Sequence, residues 1–480
     1  MLLSACFRWL AAVGLWLGPL LAVHATHIQG GDITYVPVAA TTAGVPRYHV
    51  LLQLFRDDRA GSAQQATATL TCSRGGCDVT APGGFTLVIP RTRVSATYAL
   101  GCPGFPLLSY QVLRFETDVD LPAGQWTLSF TETNRPPNIV NVANSVNTSL
   151  YLSTYLDNAL VAHNTSPRFL STLLPYLPNS QPQRYSCSAF DSEGDSLTYQ
   201  FSTPQQGALT PAGCSVAVTG ALPAPHFQLA AATGALTPLA AATVQGLYTL
   251  AVRVNEFRRV NGSWQLIGYV SRDITYLASP VAANQTPHFT TLTVNGAASV
   301  QPLDQPIRVQ PGQTVVLALG ASDTDVGQTL RFTSEAPDLI PGLRLQASGA
   351  TGAQLTWQVP PTLPPGRYTA TVAVLDNGCP TASEEYTFAF WVAAQPLASR
   401  AAQRGEATAF PTPFREQVQF QTAPHQAVVL VNALGREVAR LTSAADGRVL
   451  WQPAPSLPAG LYLARSVATG QPLAHLLRAE

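Results

Sequence analysis

Three acids, Asp191, Glu193 and Asp195, stand at alternate positions in a turn that also holds Gly194. A shorter version, Asp323 and Asp325, recurs further along the chain. Calcium takes roughly six to eight oxygen ligands, and carboxylates gathered on a loop could supply some of them. Calcium is therefore the one cofactor these residues suggest. The same pattern also describes a polar turn whose Asp side chains bond their own backbone. Neither loop carries the distal Glu of a complete helix-loop-helix calcium site.

Signals for covalent or nucleotide chemistry are missing. There is no Gly-x-Ser-x-Gly, no His-Glu-x-x-His, no Gly-x-x-x-x-Gly-Lys, and no dinucleotide fingerprint after a strand. The histidines at positions 27, 49, 163, 226, 288, 425 and 475 are scattered. Asp57 and Asp58 are adjacent, so in a strand they point to opposite faces and make a poor glycosidase pair. Glu256 with Arg258 and Arg259, and Arg272 with Asp273, read as ion pairs at the surface or rim. Trp126, Trp264, Trp357 and Trp391 read as core or edge fillers, with stacking on a sugar as the functional alternative. No catalytic residue is expected. The chain holds 27 basic and 27 acidic residues and no Lys, so it offers no basic stripe to a nucleic acid.

Charged residues make up 11% of the 480-residue chain, against roughly 25% in ordinary globular domains. With 46% hydrophobic residues, 35 Gly and 39 Pro, it suits many short strands joined by turns. Alternation of period two marks Gln125–Phe130, the run from Tyr248 to Val254, the run from Tyr368 to Val374, and the run from Tyr386 to Val392. One face of each belongs in a core, as in antiparallel sandwiches. The fold class is all-β.

Residues 1–25 read as a cleaved secretory signal. Arg8 is followed by the apolar run Trp9–Val23, 15 residues long, and by the small-x-small step Val23-His24-Ala25. That run is short of the ~20 apolar residues a spanning helix needs, so no transmembrane anchor is expected. Export permits disulfides among Cys72, Cys77, Cys102, Cys187, Cys214 and Cys379. Cys187 and Cys214 fall in one putative domain and are the candidate pair. The connectivity of the other four stays open.

An internal repeat organises the middle of the chain. Asn164-Thr165-Ser166-Pro167-Arg168-Phe169 returns 120 residues later as Asn284-Gln285-Thr286-Pro287-His288-Phe289. Each copy continues through an Ala-x-Asp-x-acid turn and reaches a Gly-x-Tyr-Thr strand, at Gly246 and Gly366, 82 residues after its Asn. This predicts two copies of one sandwich, at 158–283 and 284–394, and the repeats resemble immunoglobulin- and cadherin-like bacterial modules. A distinct β-domain at 26–157 precedes them. A linker at 395–408 follows, and then a small β-unit at 409–480.

That last unit resembles the C-terminal sorting domain of the Bacteroidetes type IX secretion system. The resemblance rests on Phe410-Pro411-Thr412-Pro413-Phe414, on Val429–Val438 with Gly435-Arg436, and on Leu457–Arg465 with Gly460 and Tyr462. It implies the type IX machinery as partner and transport through the periplasm and outer membrane. Cleavage of the tail would then leave the cargo released or at the cell surface. The N-terminal segment Thr26-His27-Ile28-Gln29-Gly30-Gly31 resembles Bacteroidetes surface proteins that begin this way after signal cleavage. The match extends through Asp191–Tyr199, Asn255–Arg258 and Ser271–Ile274. The repeats are similar to cadherin-like bacterial modules, some of which bind calcium. Together these resemblances imply an exported, non-enzymatic surface or secreted protein, adhesive or structural, with an unknown surface or glycan partner. The alternative is a secreted glycan-binding protein, or a hydrolase with its site in the N-terminal domain.

Overall fold

The computed structural model describes residues 28–58, 64–75, 83–102, 105–178, 183–207, 214–239, 244–279, 284–393 and 409–479. The expected signal segment and the linker at 395–408 lie outside these residues. Among the described residues every regular element is a strand, apart from single 3-10 turns at Ser145–Asn147 and Ala336–Asp338. Among the described residues no helix is long and apolar enough to cross a membrane. The chain divides into two compact units, Met1–Ala394 and Gln395–Glu480.

In the first unit a long antiparallel ladder runs through Ile28–Val38, Arg47–Asp57, Phe105–Asp120, Phe85–Val94, Thr67–Arg74, Gln125–Glu132, Leu150–Asp157 and Ser263–Ser279. Ile28–Val38 then pairs with Ser263–Ser279, Gly30 opposite Ile274 and Gly31 opposite Asp273, so the ladder closes on itself. Its interior is filled by side chains, among them Ile33, Tyr35, Phe115, Trp126, Leu128 and Leu152. Closure explains the Gly-Gly step. A Cβ on Gly30 would lie 2.1 Å from the Asp273 carbonyl oxygen, and one on Gly31 would lie 2.3 Å from that of Gln53. Gly30 also has φ of +141°, where a side chain is disfavoured.

The closing strand comes from the next region of sequence. Ser263–Ser279 forms a hairpin with Gly246–Val260 through Asn261 and Gly262, whose φ values of 51° and 82° suit a two-residue primed turn. Ser196–Phe201 extends the same sheet. The expected boundary at 157/158 therefore does not separate two bodies. Main-chain pairing crosses it, which alternation within single strands could not reveal.

Residues 284–393 form a two-sheet sandwich. One sheet orders His288–Val294, Thr314–Ser322, Gly352–Gln358 and Leu343–Ala347; the other orders Ile307–Val309, Ser383–Val392, Gly366–Leu375 and Arg331–Thr333. Trp357, Phe388 and Phe390 fill its centre. It is joined to the rest of the unit by a disulfide between Cys102 and Cys379. Glu384 pairs with Arg184 at 3.2 Å, and the Ser186 amide donates to Glu385 at 3.2 Å. In place of separate beads, residues 28–393 form one cross-braced body.

The second unit is a small sandwich. Val418–Gln421 pairs with Arg448–Trp451, and a second sheet orders Glu437–Thr442, Ala427–Asn432, Gly460–Ser466 and Pro472–Arg478. Phe414, Phe420, Trp451, Tyr462 and Leu476 form a core of its own.

Candidate functional site

The acidic turn of the first repeat is built by two segments. Asp191 follows the short strand Ala189–Phe190, and Gly194, with φ of 78°, turns the chain so that three acids face one way. The long strand Gly246–Val260 delivers a fourth, Glu256, next to an irregularity in its pairing at Glu256/Phe257. One ligand oxygen from each of Asp191, Glu193, Asp195 and Glu256 lies within 4.8 Å of the others. The sequence reading found the first three and placed Glu256 on the surface, yet it is fully buried. The signal that could have found it is the repeat itself: Glu256 lies ten residues after Gly246, and Asp376 ten after Gly366.

The cluster already contains a cation. Arg258 donates through Nε to Asp195 at 2.7 Å and through Nη2 to Glu193 at 3.0 Å, to Asn164 at 2.8 Å and to the second Asp195 oxygen. Asp191 Oδ1 accepts the amides of Glu193 at 3.0 Å and Asp195 at 2.9 Å, which is the backbone-bonded turn. Glu193 also accepts the Thr165 amide at 3.0 Å. Asn164 donates to Glu256 Oε2 at 2.7 Å. Two buried oxygens are left without a donor, Asp191 Oδ2 and Glu256 Oε1.

Burial pushes the Asp191 carboxyl up to about 6, with the charge of Asp195 adding to it. Glu256 is raised well above the ordinary range, first by burial and then by the charges of Asp191 and Asp195. The two carboxyls are close enough to bond once one of them carries a proton. Two free oxygens are far short of calcium's coordination number, while one shared proton satisfies both. In the arrangement adopted, these residues fit a proton and an arginine better than a calcium ion.

The second repeat repeats the design without the arginine. Asn284 donates to Asp376 at 2.8 Å, the Gln285 amide donates to Asp325 at 2.8 Å, and the Asp325 amide donates to Asp323 at 2.9 Å. Gly378 stands where the first repeat has Arg258, and Gln328 donates to Asp325 at 3.1 Å. Asp323 and Asp325 are thus in a polar turn. Among the described residues only the first repeat's acids gather at metal-ligand spacing.

Other expectations are corrected. Cys187 and Cys214 are not paired: Cys187 is a free, buried thiol pushed up to about 12 by its apolar surroundings, and Cys214 is bonded in another disulfide. Cys187 belongs to the main core of its region, whereas Cys214 precedes the short strand Ser215–Ala217. Cys72 is also a free, buried thiol, and Cys77 lies outside the described residues. Arg272 and Asp273 are not at a rim. Arg272 is buried on Asp32 at 2.7 Å, and Asp273 is buried on Arg135 at 2.6 Å. They lie on the stretch of Ser263–Ser279 from Arg272 onward, which is buried on both faces. Trp126 and Trp357 are core residues, while Trp264 and Trp391 are 59% and 46% exposed.

In the second unit the motif residues sit at turns and strand starts. Pro411 and Pro413 follow cis peptide bonds in the entry segment. The Gly435 amide donates to Asn432 O at 2.9 Å, its φ of 78° turns the hairpin, and Arg436 beside it is exposed. Gly460 opens the strand that carries Tyr462, whose buried ring sends its hydroxyl to Pro458 O at 2.5 Å.

No protein-family model and no curated protein matches this chain. Solved structures with some likeness include dimeric latent PorU from Porphyromonas gingivalis, at 13% identity and TM-score 0.15, covering 65% of this chain and 32% of that one. Titin domains A168–A170 match at 11% identity and TM-score 0.18, covering 65% and 97%. Protocadherin gamma B7 cadherin domains 1–4 match at 13% identity and TM-score 0.16, covering 73% and 84%. This chain spans about a third of the PorU chain. Scores this low carry no inference about function.

Proposed function

We propose that this is an exported, non-enzymatic protein of the cell surface or its surroundings, adhesive or structural in role. Its C-terminal unit serves as the address read by the type IX secretion machinery. The observation that carries this reading is the separateness of that unit. Residues from 409 onward hold their own core and their own sheets, and the residues resembling the sorting motif sit at its turns and strand starts. An address must fold without its cargo, and a unit with a private core meets that requirement. The larger unit suits a passive role. Some of its buried charges are tied into pairs that brace the strands, as Arg135 with Asp273 and Arg272 with Asp32. No cofactor is part of this reading, since Arg258 and a shared proton serve the acidic cluster.

The test is cell fractionation of the full chain against a version ending at Gln403, in a bacterium with a type IX system. The full chain is expected at the surface or in the medium, and the shortened one in the periplasm. Equal delivery of both would overturn the reading.

A further inference from the structure

A cavity of about 1030 Å³ lies between the strands Tyr98–Cys102 and Phe105–Asp120 on one side and the sandwich of residues 284–393 on the other. Sites for small ligands typically span ~300–1,000 Å³. Both half-cystines of the Cys102–Cys379 bridge line it, so its two walls are covalently held at a fixed separation. A preorganised cleft binds without first ordering its walls.

The lining defines the ligand's chemistry. On the first wall Tyr98, half-buried, stacks on Tyr110 with ring centroids 5.1 Å apart and planes at 12°. Tyr110 is anchored by donating to Thr172 O at 3.0 Å and accepting the Leu174 amide at 3.1 Å. The pair is thus a fixed aromatic platform. The facing wall carries Glu335, Glu385, Asn377 and Thr381. Arg331 is the only basic side chain in the lining, against the acids Glu335, Asp376 and Glu385, which disfavours an anionic ligand. Hydroxyls of Ser109, Ser171 and Thr333 make the surface too polar for a lipid chain.

We infer that this disulfide-braced cleft binds a short neutral oligosaccharide, one sugar ring lying on Tyr98 and its hydroxyls bonding to Glu335 and Glu385. The inference deepens the adhesive reading without depending on the C-terminal address. Burial, reinforced by the charge of Glu335, lifts Glu385 to about 7, so near neutrality it can donate as well as accept. A sugar hydroxyl needs both.

The test uses the full mature chain in calorimetric titrations at pH 7 with cellohexaose, maltohexaose and chitohexaose, and with hexagalacturonate as an anionic control. Saturable binding of at least one neutral hexasaccharide is expected, with none of the control. Tyr98→Ala should weaken it about tenfold. Thr97→Trp, at an exposed residue of the lining, should block it, with the unfolding midpoint measured alongside to show that the variant is folded. Silence with all three neutral sugars, or binding unchanged in both variants, would overturn the inference. Preference for the anionic control would do the same. Release of new reducing ends from a bound sugar would uphold the site and overturn the non-enzymatic reading.

Discussion

Glu256 shows how far a single side chain's meaning depends on where its strand is placed. In the chain it stands before Phe257 and Arg258 and looks like half of a surface ion pair. In the fold it is fully buried beside Asp191, Tyr35 and Asn164, with Arg258 reaching past it to Glu193 and Asp195. Asp191, Glu193 and Asp195 were legible from spacing in the turn; their buried fourth member and their arginine were not, because both arrive on a distant strand. The cluster fixes a pH dependence. Asp191 and Glu256 have folded-state values raised above their unfolded ones, so the folded protein binds more protons than the unfolded one over that interval. Their contribution to stability is full below about pH 4 and is lost as pH rises through the folded value, about 6 for Asp191. Glu256→Gln should therefore stabilise the protein at pH 8 and lessen its loss of stability as pH rises. Urea unfolding at a series of pH values measures this. The same samples should show no change in stability when millimolar calcium is added, since Arg258 occupies the place of a metal. A clear rise with calcium would contradict that.

Strands explain why the fold class was readable and the domain borders were not. Period-two alternation in Tyr386–Val392 does report a half-buried surface, but Tyr368–Val374 is buried on both faces, with the Thr369 and Thr371 hydroxyls donating to Ala189 O and Leu170 O; both runs pair in the sandwich of residues 284–393. Alternation says nothing about which strand lies alongside. Ser263–Ser279 is claimed by four neighbours, Gly246–Val260, Leu150–Asp157, Ile28–Val38 and Tyr176–Pro178, and so welds two regions that the sequence separates. Its polar residues confirm the weld in energetic terms. Arg272 and Asp273 are charged, adjacent and suited to a surface, yet each finds a buried partner from another region. The Gly30-Gly31 step is the counterpart on the opposite strand, where only hydrogen in place of a side chain lets the backbones approach. Gly31→Ala would set a methyl group 2.3 Å from the Gln53 carbonyl oxygen and 2.8 Å from Leu152. A loss of roughly 1–3 kcal/mol is expected, as for overpacking elsewhere. It should appear as a lower midpoint in chemical denaturation of the full chain.

At the scale of the whole molecule the two units answer to different demands. Residues 28–393 are braced by a shared sheet, by buried ion pairs and by a disulfide between residues 277 positions apart. Closing so long a loop is the kind of cross-link that most restricts an unfolded chain, and export is the setting in which it persists. The cysteine count alone allowed this pairing among many, and nothing local in the sequence singled it out. In the unit from 409 onward, Phe414, Trp451 and Tyr462 form that unit's own core. The central claim is that this small unit is sufficient as an address. The most direct measurement fuses residues 395–480 to a reporter carrying a cleavable export signal and follows it in type IX-competent cells. The account predicts that the reporter reaches the surface or medium, and that the reporter without those residues stays in the periplasm. Retention of both in the periplasm would contradict it.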